Sequence, residues 1–298
     1  MRVTTGMTAE TALFNLQRGR SRLDRLQEMI ASGKTVNRPS DDPITTQNVL
    51  NLEAMYKEGE QLTNNIKKAS QWTKVTEITL TGISEMLSNI RKVAGESMRG
   101  ISDPIIRGNT AAQLQELRKQ IIDLGNTQLG DQFIFGGFKV AAKPFDFTTG
   151  AFSGTSDSIE VEIDRSGGKV ALNVDGGALL KGTGSYGSID IIAEVDGLIT
   201  AINTGDLVQL KARSANIDAS ASQISTALGD VGGRQLRLDS AEKMLTQNQN
   251  ATQALIANLQ NLDMIKAATE LNNQKTAFEA ALAATAKINQ LSLLDYLR

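Results

Sequence analysis

The sequence predicts a mainly α fold with an inserted β domain, built as a long antiparallel helical bundle with a terminal coiled coil. Apolar residues recur at alternating steps of three and four through the first part of the chain. Near residue 160 they alternate in steps of two, and after residue 189 the helical spacing returns. The order is therefore helices, strands, helices.

The first seam runs through Ala9, Ala12, Leu16, Gly19, Leu23, Leu26 and Ile30, the spacing of a coiled coil. A longer series follows: Leu52, Met55, Gly59, Leu62, Ile66, Ala69, Thr73, Thr76, Leu80, Ile83, Leu87, Ile90 and Ala94. It implies a helix well beyond the usual globular length. Gly95, Gly100 and the Asp103-Pro104 pair are expected to interrupt it, and Leu114, Leu117, Ile121 and Leu124 mark a third helix.

Beyond Gly130, Ile159, Val161 and Ile163 alternate with Glu160, Glu162 and Asp164, the pattern of a half-buried strand. Gly-Gly turns at 167–168 and 176–177 are expected to separate strands up to about Ser188. Leu207, Leu210, Ile217, Ile224 and Leu228 then predict one helix. Leu238, Ala241, Leu245, Asn248, Thr252, Leu255, Leu259 and Leu262 predict another, extending toward Phe278, Ile288 and Leu294.

Each amphipathic seam needs a partner, so the last helices are expected to return beside the first and leave both termini at one end. The outermost helices have a single intramolecular partner each and seams rich in Ala, Thr, Asn and Lys. Polar seam residues such as Asn248, Thr252 and Thr269 would restrict register at some cost in pairing strength. Leu291, Leu294 and Leu297 stand at steps of three and would form an apolar strip near the end. These helices look suited to neighbours.

A chain of 298 residues is expected to form two or three domains. With 31 basic and 33 acidic side chains it carries no global electrostatic footprint for nucleic acid or an anionic membrane. Residues 1–40 hold seven basic and three acidic side chains, which a solvated or subunit-facing helix accommodates. No His and no Cys are present, which removes histidine bases, thiolate nucleophiles and the usual zinc sites. Neither a secretory signal nor a membrane span is legible.

Four features invite a chemical reading. Ser32-Gly33-Lys34-Thr35 imitates the end of a phosphate-binding loop, yet Glu28 stands where its first glycine belongs and a helix precedes it. Gly182-Thr183-Gly184-Ser185-Tyr186-Gly187 satisfies the dinucleotide pattern without the repeated strand-helix units that a dinucleotide crevice needs. The acidic pair Asp41-Asp42 lies between Pro39 and Pro43, where Ser40 or Asp41 is expected to cap a helix starting near Pro43. Phe133, Phe135, Phe138, Phe145, Phe147 and Phe152 would suit a stacking platform, but they read mostly as β-domain core. No catalytic, cofactor or metal site emerges. Trp72 is left open between core and interface.

Four segments together resemble one known family. Val36-Asn37-Arg38-Pro39-Ser40-Asp41-Asp42-Pro43 is similar to the signature after the first helix in the hook-filament junction proteins of the flagellin superfamily. Phe133-Ile134-Phe135-Gly136-Gly137-Phe138-Lys139, followed by Pro144-Phe145, resembles the family's passage into its β domain. Gly232-Gly233-Arg234-Gln235-Leu236-Arg237-Leu238 resembles the opening of its final helices, and Leu291-Ser292-Leu293-Leu294-Asp295-Tyr296-Leu297 its ending.

The resemblance implies a flagellin-like fold in three parts. Residues 1–43 with 260–298 would form an axial terminal coiled coil, 44–131 with 189–259 a helical bundle, and 132–188 the β domain. It implies a non-enzymatic structural subunit of the bacterial flagellum that forms an adaptor ring between hook and filament. Its partners would be further copies of itself and neighbouring hook-associated or flagellin subunits in a helical lattice, and before that a cytoplasmic export chaperone. It would leave the cell through the flagellar type III pathway without a cleaved signal peptide. A filament flagellin, a cytoplasmic coiled-coil scaffold and an enzyme on the β module are the alternatives, in that order.

Overall fold

The computed structural model describes residues 5–296, apart from the side chains of a few residues near each end. Its elements are α1 (Thr5–Ser32), α2 (Pro43–Gly100), α3 (Pro104–Gly125), β1 (Gln128–Leu129), β2 (Gln132–Phe133), β3 (Glu160–Glu162), β4 (Lys169–Ala171), α4 (Gly176–Leu180), α5 (Ile191–Thr204), α6 (Leu207–Gln260) and α7 (Met264–Tyr296). The order is the expected one: helices, a small β region, helices. Two compact units emerge, one from Met1–Glu58 with Asn248–Arg298 and the other from Gly59–Gln247, so the division falls inside α2 and α6.

Aspartate starts most of these helices. Asp103 accepts the Ile105 N–H with Pro104 in the first turn, and Asp190 accepts the Ala193 N–H. Asp206 takes the N–H groups of Val208 and Gln209 at the head of α6, and Asp263 takes those of Ile265 and Lys266 at the head of α7. Each carboxylate satisfies amides that a helix start leaves without intrahelical partners.

In the first unit, α1 and α7 pack against each other. Gly19 lies against the Phe278 ring, and a Cβ there would come within 3.2 Å of it. At the other end Lys34 forms an antiparallel bridge with Asn261, which establishes an antiparallel pair. The α1 seam residues Ala12, Leu16, Gly19, Leu23, Leu26 and Ile30 are all half-buried, opposite a half-buried row on α7 of Leu271, Gln274, Phe278 and Thr285. Of the polar seam residues anticipated, Thr252 is half-buried, whereas Asn248 and Thr269 are exposed. Thr269 turns its hydroxyl back to the Ile265 carbonyl.

The second unit holds the main core. From Gly59 to Ala94 every position of the predicted α2 seam is buried, with Ile66, Leu80, Ile83 and Ile90 fully enclosed. Antiparallel α6 faces α2: Arg91 pairs with Asp218 at 3.2 Å, and Gln235 donates to Glu77 at 3.1 Å. Helices α3 and α5 pack together beside them. The core continues without a break into Ile134, Phe135, Phe145, Val174, Leu179 and Leu180, so the β region shares it.

Three expectations fail locally. Gly95 sits inside α2, which ends at Gly100, because nothing crowds an open helical glycine. Gly229, Gly232 and Gly233 do not divide α6, which runs unbroken for 54 residues. The helix break comes instead at residues 261–263. Gly167-Gly168 does turn the β3–β4 hairpin, in which Val161 faces Val170, but Gly176-Gly177 opens the short helix α4 under an Asp175 cap. The β region has two two-stranded antiparallel sheets, β1–β2 and β3–β4, and much irregular chain.

Candidate functional site

The segment between α1 and α2 is the most fully determined of the sites anticipated from the sequence. Gly33 leaves α1 with φ of 69°, a left-handed conformation that glycine adopts freely. The next residues are tied to the chain before α7: the Thr35 N–H donates to the Gln260 carbonyl at 2.8 Å, and the Leu262 N–H to the Gly33 carbonyl at 3.0 Å. The Thr35 hydroxyl also reaches the carbonyls of Leu259 and Gln260. The Lys34 N–H is taken by the Ser32 hydroxyl. Amides that a phosphate would need are thus already engaged.

Arg38-Pro39-Ser40-Asp41 then forms a tight turn. The Asp41 N–H donates to the Arg38 carbonyl at 2.9 Å, and the Arg38 N–H donates back to Asp41 Oδ2 at 3.1 Å. Two ion pairs fasten this turn to α1, Arg25 with Asp41 at 3.3 Å and Arg38 with Glu28 at 3.1 Å. Asp42, rather than Ser40 or Asp41, caps α2. Its Oδ1 accepts the N–H groups of Ile44 and Thr45, and its Oδ2 accepts the Thr45 hydroxyl at 2.7 Å. Those bonds, the Thr45 N–H foremost, hold its carboxyl below the ordinary value of 3.8. Pro43 opens the helix where no N–H is needed.

Asn37 is half-buried, and Pro39 and Ser40 are exposed. An open groove of about 500 Å³ lies over the turn, lined by Lys34, Val36, Arg38, Pro39, Val49 and Gln260 among others. The acidic pair is consumed by a cap and an ion pair, which leaves no paired carboxylates for acid-base work. Among the described residues no cluster of metal-ligating side chains occurs.

At the β entry, Phe133, Phe135, Pro144 and Phe145 are buried, and Phe145 packs on half-buried Phe152 with ring centroids 5.2 Å apart. Phe138 and Phe147 are exposed, at 61% and 49%, so two of the six phenylalanines expected mostly in the core are surface groups. The glycines are required: at Gly137, with φ of 63°, a Cβ would overlap the Thr155 carbonyl, and at Gly136 it would press on that of Lys139. The glycine-rich run 182–187 closes on itself through a Gly184–Gly187 bridge and leads into α5, whose Asp190 cap pairs with Lys181 at 2.6 Å. It is a connector.

Trp72 is core, 4% exposed, which the sequence left open. Arg234, from the segment 232–238, donates to the carbonyls of Ala171 and Asn173 and so anchors the end of β4 against α6. Leu297 lies outside the described residues. So do the side chains of Leu291 and Leu294.

Two family models match the chain at its two ends: the bacterial flagellin N-terminal helical region over residues 3–139 and the bacterial flagellin C-terminal helical region over residues 214–297. The chain belongs to the flagellin family. Flagellar hook-associated protein 3 of Salmonella typhimurium is 22% identical over 99% of both chains, and that of Escherichia coli is 23% identical over the same shares. Among solved structures, a putative flagellar hook-associated protein from Vibrio parahaemolyticus aligns with a TM-score of 0.68 at 22% identity, over 74% of this chain and all of that one. FlgL from Bacillus cereus aligns at 0.60 and 18%, covering 70% and 99%. The flagellin-type fold is thereby established, and the family is one of structural flagellar proteins. Among the described residues no helix is long and apolar enough to cross a membrane.

Proposed function

We propose that this flagellin-family chain is the hook-filament junction subunit, a structural adaptor that repeats as a ring between hook and filament. Full-length similarity to two proteins named flagellar hook-associated protein 3 carries the reading, because it spans the β region that the family models leave out. The first unit supplies a physical reason for assembly. Its α1–α7 seam is half-buried, which leaves apolar surface for neighbouring subunits to cover. Repeated heterologous contacts of this kind build a helical lattice.

In this reading the turn at residues 37–43 sets the path from the terminal coiled coil into the bundle. Export follows the flagellar type III route without a cleaved signal peptide. Leu291, Leu294 and Leu297, at steps of three in the sequence, are the residues we propose a cytoplasmic chaperone covers first and neighbouring subunits cover later, since burying a Leu side chain is worth roughly 1.5–3 kcal/mol. Changing all three to Ser should lower both chaperone binding and ring incorporation and leave the thermal transition of the bundle nearly unchanged.

Labelling the chain in intact flagella tests the function directly. Label confined to the hook-filament boundary is the expected result. Label along the whole filament would assign the chain to filament flagellin instead.

A further inference from the structure

Trp72 has a buried indole whose Nε1 finds no hydrogen-bond partner in the described chain. Buried tryptophan N–H groups are normally paired, because an unmade bond in a dry site is costly. Beside the ring is a cavity of about 250 Å³, walled by Leu129, Val161 and Leu172 and rimmed by Asn65, Lys68 and Gln132. This is smaller than the usual cofactor or ligand pocket and is the size for a side chain. Lys68 is exposed, and no carboxylate pairs with it among the described residues. The groove therefore offers an apolar floor and a free positive charge at its rim.

Elsewhere on the same unit, the turn Asp146-Phe147-Thr148-Thr149 presents the complement. Phe147 stands half exposed at its tip. Asp146 holds the turn by accepting the N–H groups of Thr148 and Thr149 and the Thr149 hydroxyl, all on Oδ1. Oδ2 stays available to a cation. The same bonds, led by the Thr149 N–H, pull the Asp146 carboxyl below its ordinary range, so it is ionised at neutral pH. Arg118 braces the turn from α3 by donating to the Thr148 carbonyl.

We infer that the Trp72 groove receives the Phe147 turn of a second copy of this chain, with Phe147 on the apolar floor and Asp146 against Lys68. Knob and hole lie on different elements of one chain, so the contact is heterologous and propagates from copy to copy. The inference rests on the reading of the chain as a self-assembling subunit and names one of its contacts.

Trp72 is the only tryptophan, so emission excited away from tyrosine reports on this groove alone. Purified full-length chain is titrated from low micromolar to millimolar concentration, with sedimentation and Trp72 emission followed together. The expected result is self-association accompanied by a shift in emission. F147S and K68E, both at exposed positions, should each weaken it, F147S by roughly ten-fold or more. Q132F, which fills the groove from its rim, should do the same. A mixture of F147S and Q132F chains should recover one-to-one pairs, because each keeps the half that the other lacks.

Emission that never changes with concentration, or changes equally in F147S, overturns the inference, as does a mixture that fails to pair. Boundary labelling of the wild-type chain in flagella separates the two levels. Wild-type label at the boundary with an unresponsive Trp72 sinks the groove contact alone, whereas wild-type label elsewhere sinks the junction reading.

Discussion

Asp42 shows how a charged pair in the sequence is resolved into backbone chemistry. Both its oxygens are occupied by the first turn of α2, so its carboxylate acts through acceptance and not through proton transfer. Asn in its place keeps an acceptor and should preserve the start of α2. Ala should fray it, read as faster amide exchange at Ile44 and Thr45. Asp41 differs, because its ion pair with Arg25 depends on charge; D41N should cost about 1 kcal/mol or less, as surface pairs do. The depressed folded value of Asp42 also sets a sign. A carboxyl whose pKa falls on folding adds stability above its unfolded value near 3.8 and loses it as pH drops through the lower folded value. A carbon-detected titration should therefore place the Asp42 midpoint below 3.8, and D42N should remove that part of the acid sensitivity. A midpoint at or above 3.8 would contradict the capping geometry.

At the scale of elements, the apolar period was the most legible signal. In α2 the seam from Leu62 to Ala94 is buried position by position, because a long helix with one packed face leaves its pattern in the spacing. The same pattern misleads where partners thin out, and Met55 and Leu255 on seam positions are exposed. Asp-Pro before a helical run was visible twice, at 42–43 and 103–104, yet which acid caps α2 depends on turn geometry that spacing does not record. Strand content was over-read, since hairpins of two or three residues can be held by a shared core with little periodicity of their own. The two helices expected to begin at Leu207 and at Leu238 are one, α6. Gly229, Gly232 and Gly233 have open space where a Cβ would stand, so tertiary packing alone carries the helix through them. Replacing each with Ala should stabilise the protein by roughly 0.5–1 kcal/mol, measured by denaturant unfolding. A neutral or destabilising result would mean that α6 bends there in solution.

For the whole molecule, the distribution of buried side chains predicts unequal stability. In the first unit only Val49 and Ala267 among the described hydrophobic residues are buried, and the described α1 seam from Ala12 to Ile30 is only half-covered. The second unit encloses Ile66, Leu80, Ile83, Leu87, Ile90 and Leu114 with almost no exposure. Helix pairs with little enclosed apolar surface gain little beyond their own propensity, so they open at low free-energy cost. In the isolated chain, amides of α1 and α7 should exchange with solvent orders of magnitude faster than those of α2 between Leu62 and Ala94. Limited proteolysis should cut within the terminal helices first, leaving a core near Gly59–Gln247. Assembly should reverse the contrast: once neighbours cover the half-buried seam, exchange in α1 and α7 slows while that of the second unit hardly changes. Equal protection of both units in the isolated chain would mean that α1 and α7 are stable without neighbours, and the physical case for assembly through them would be lost.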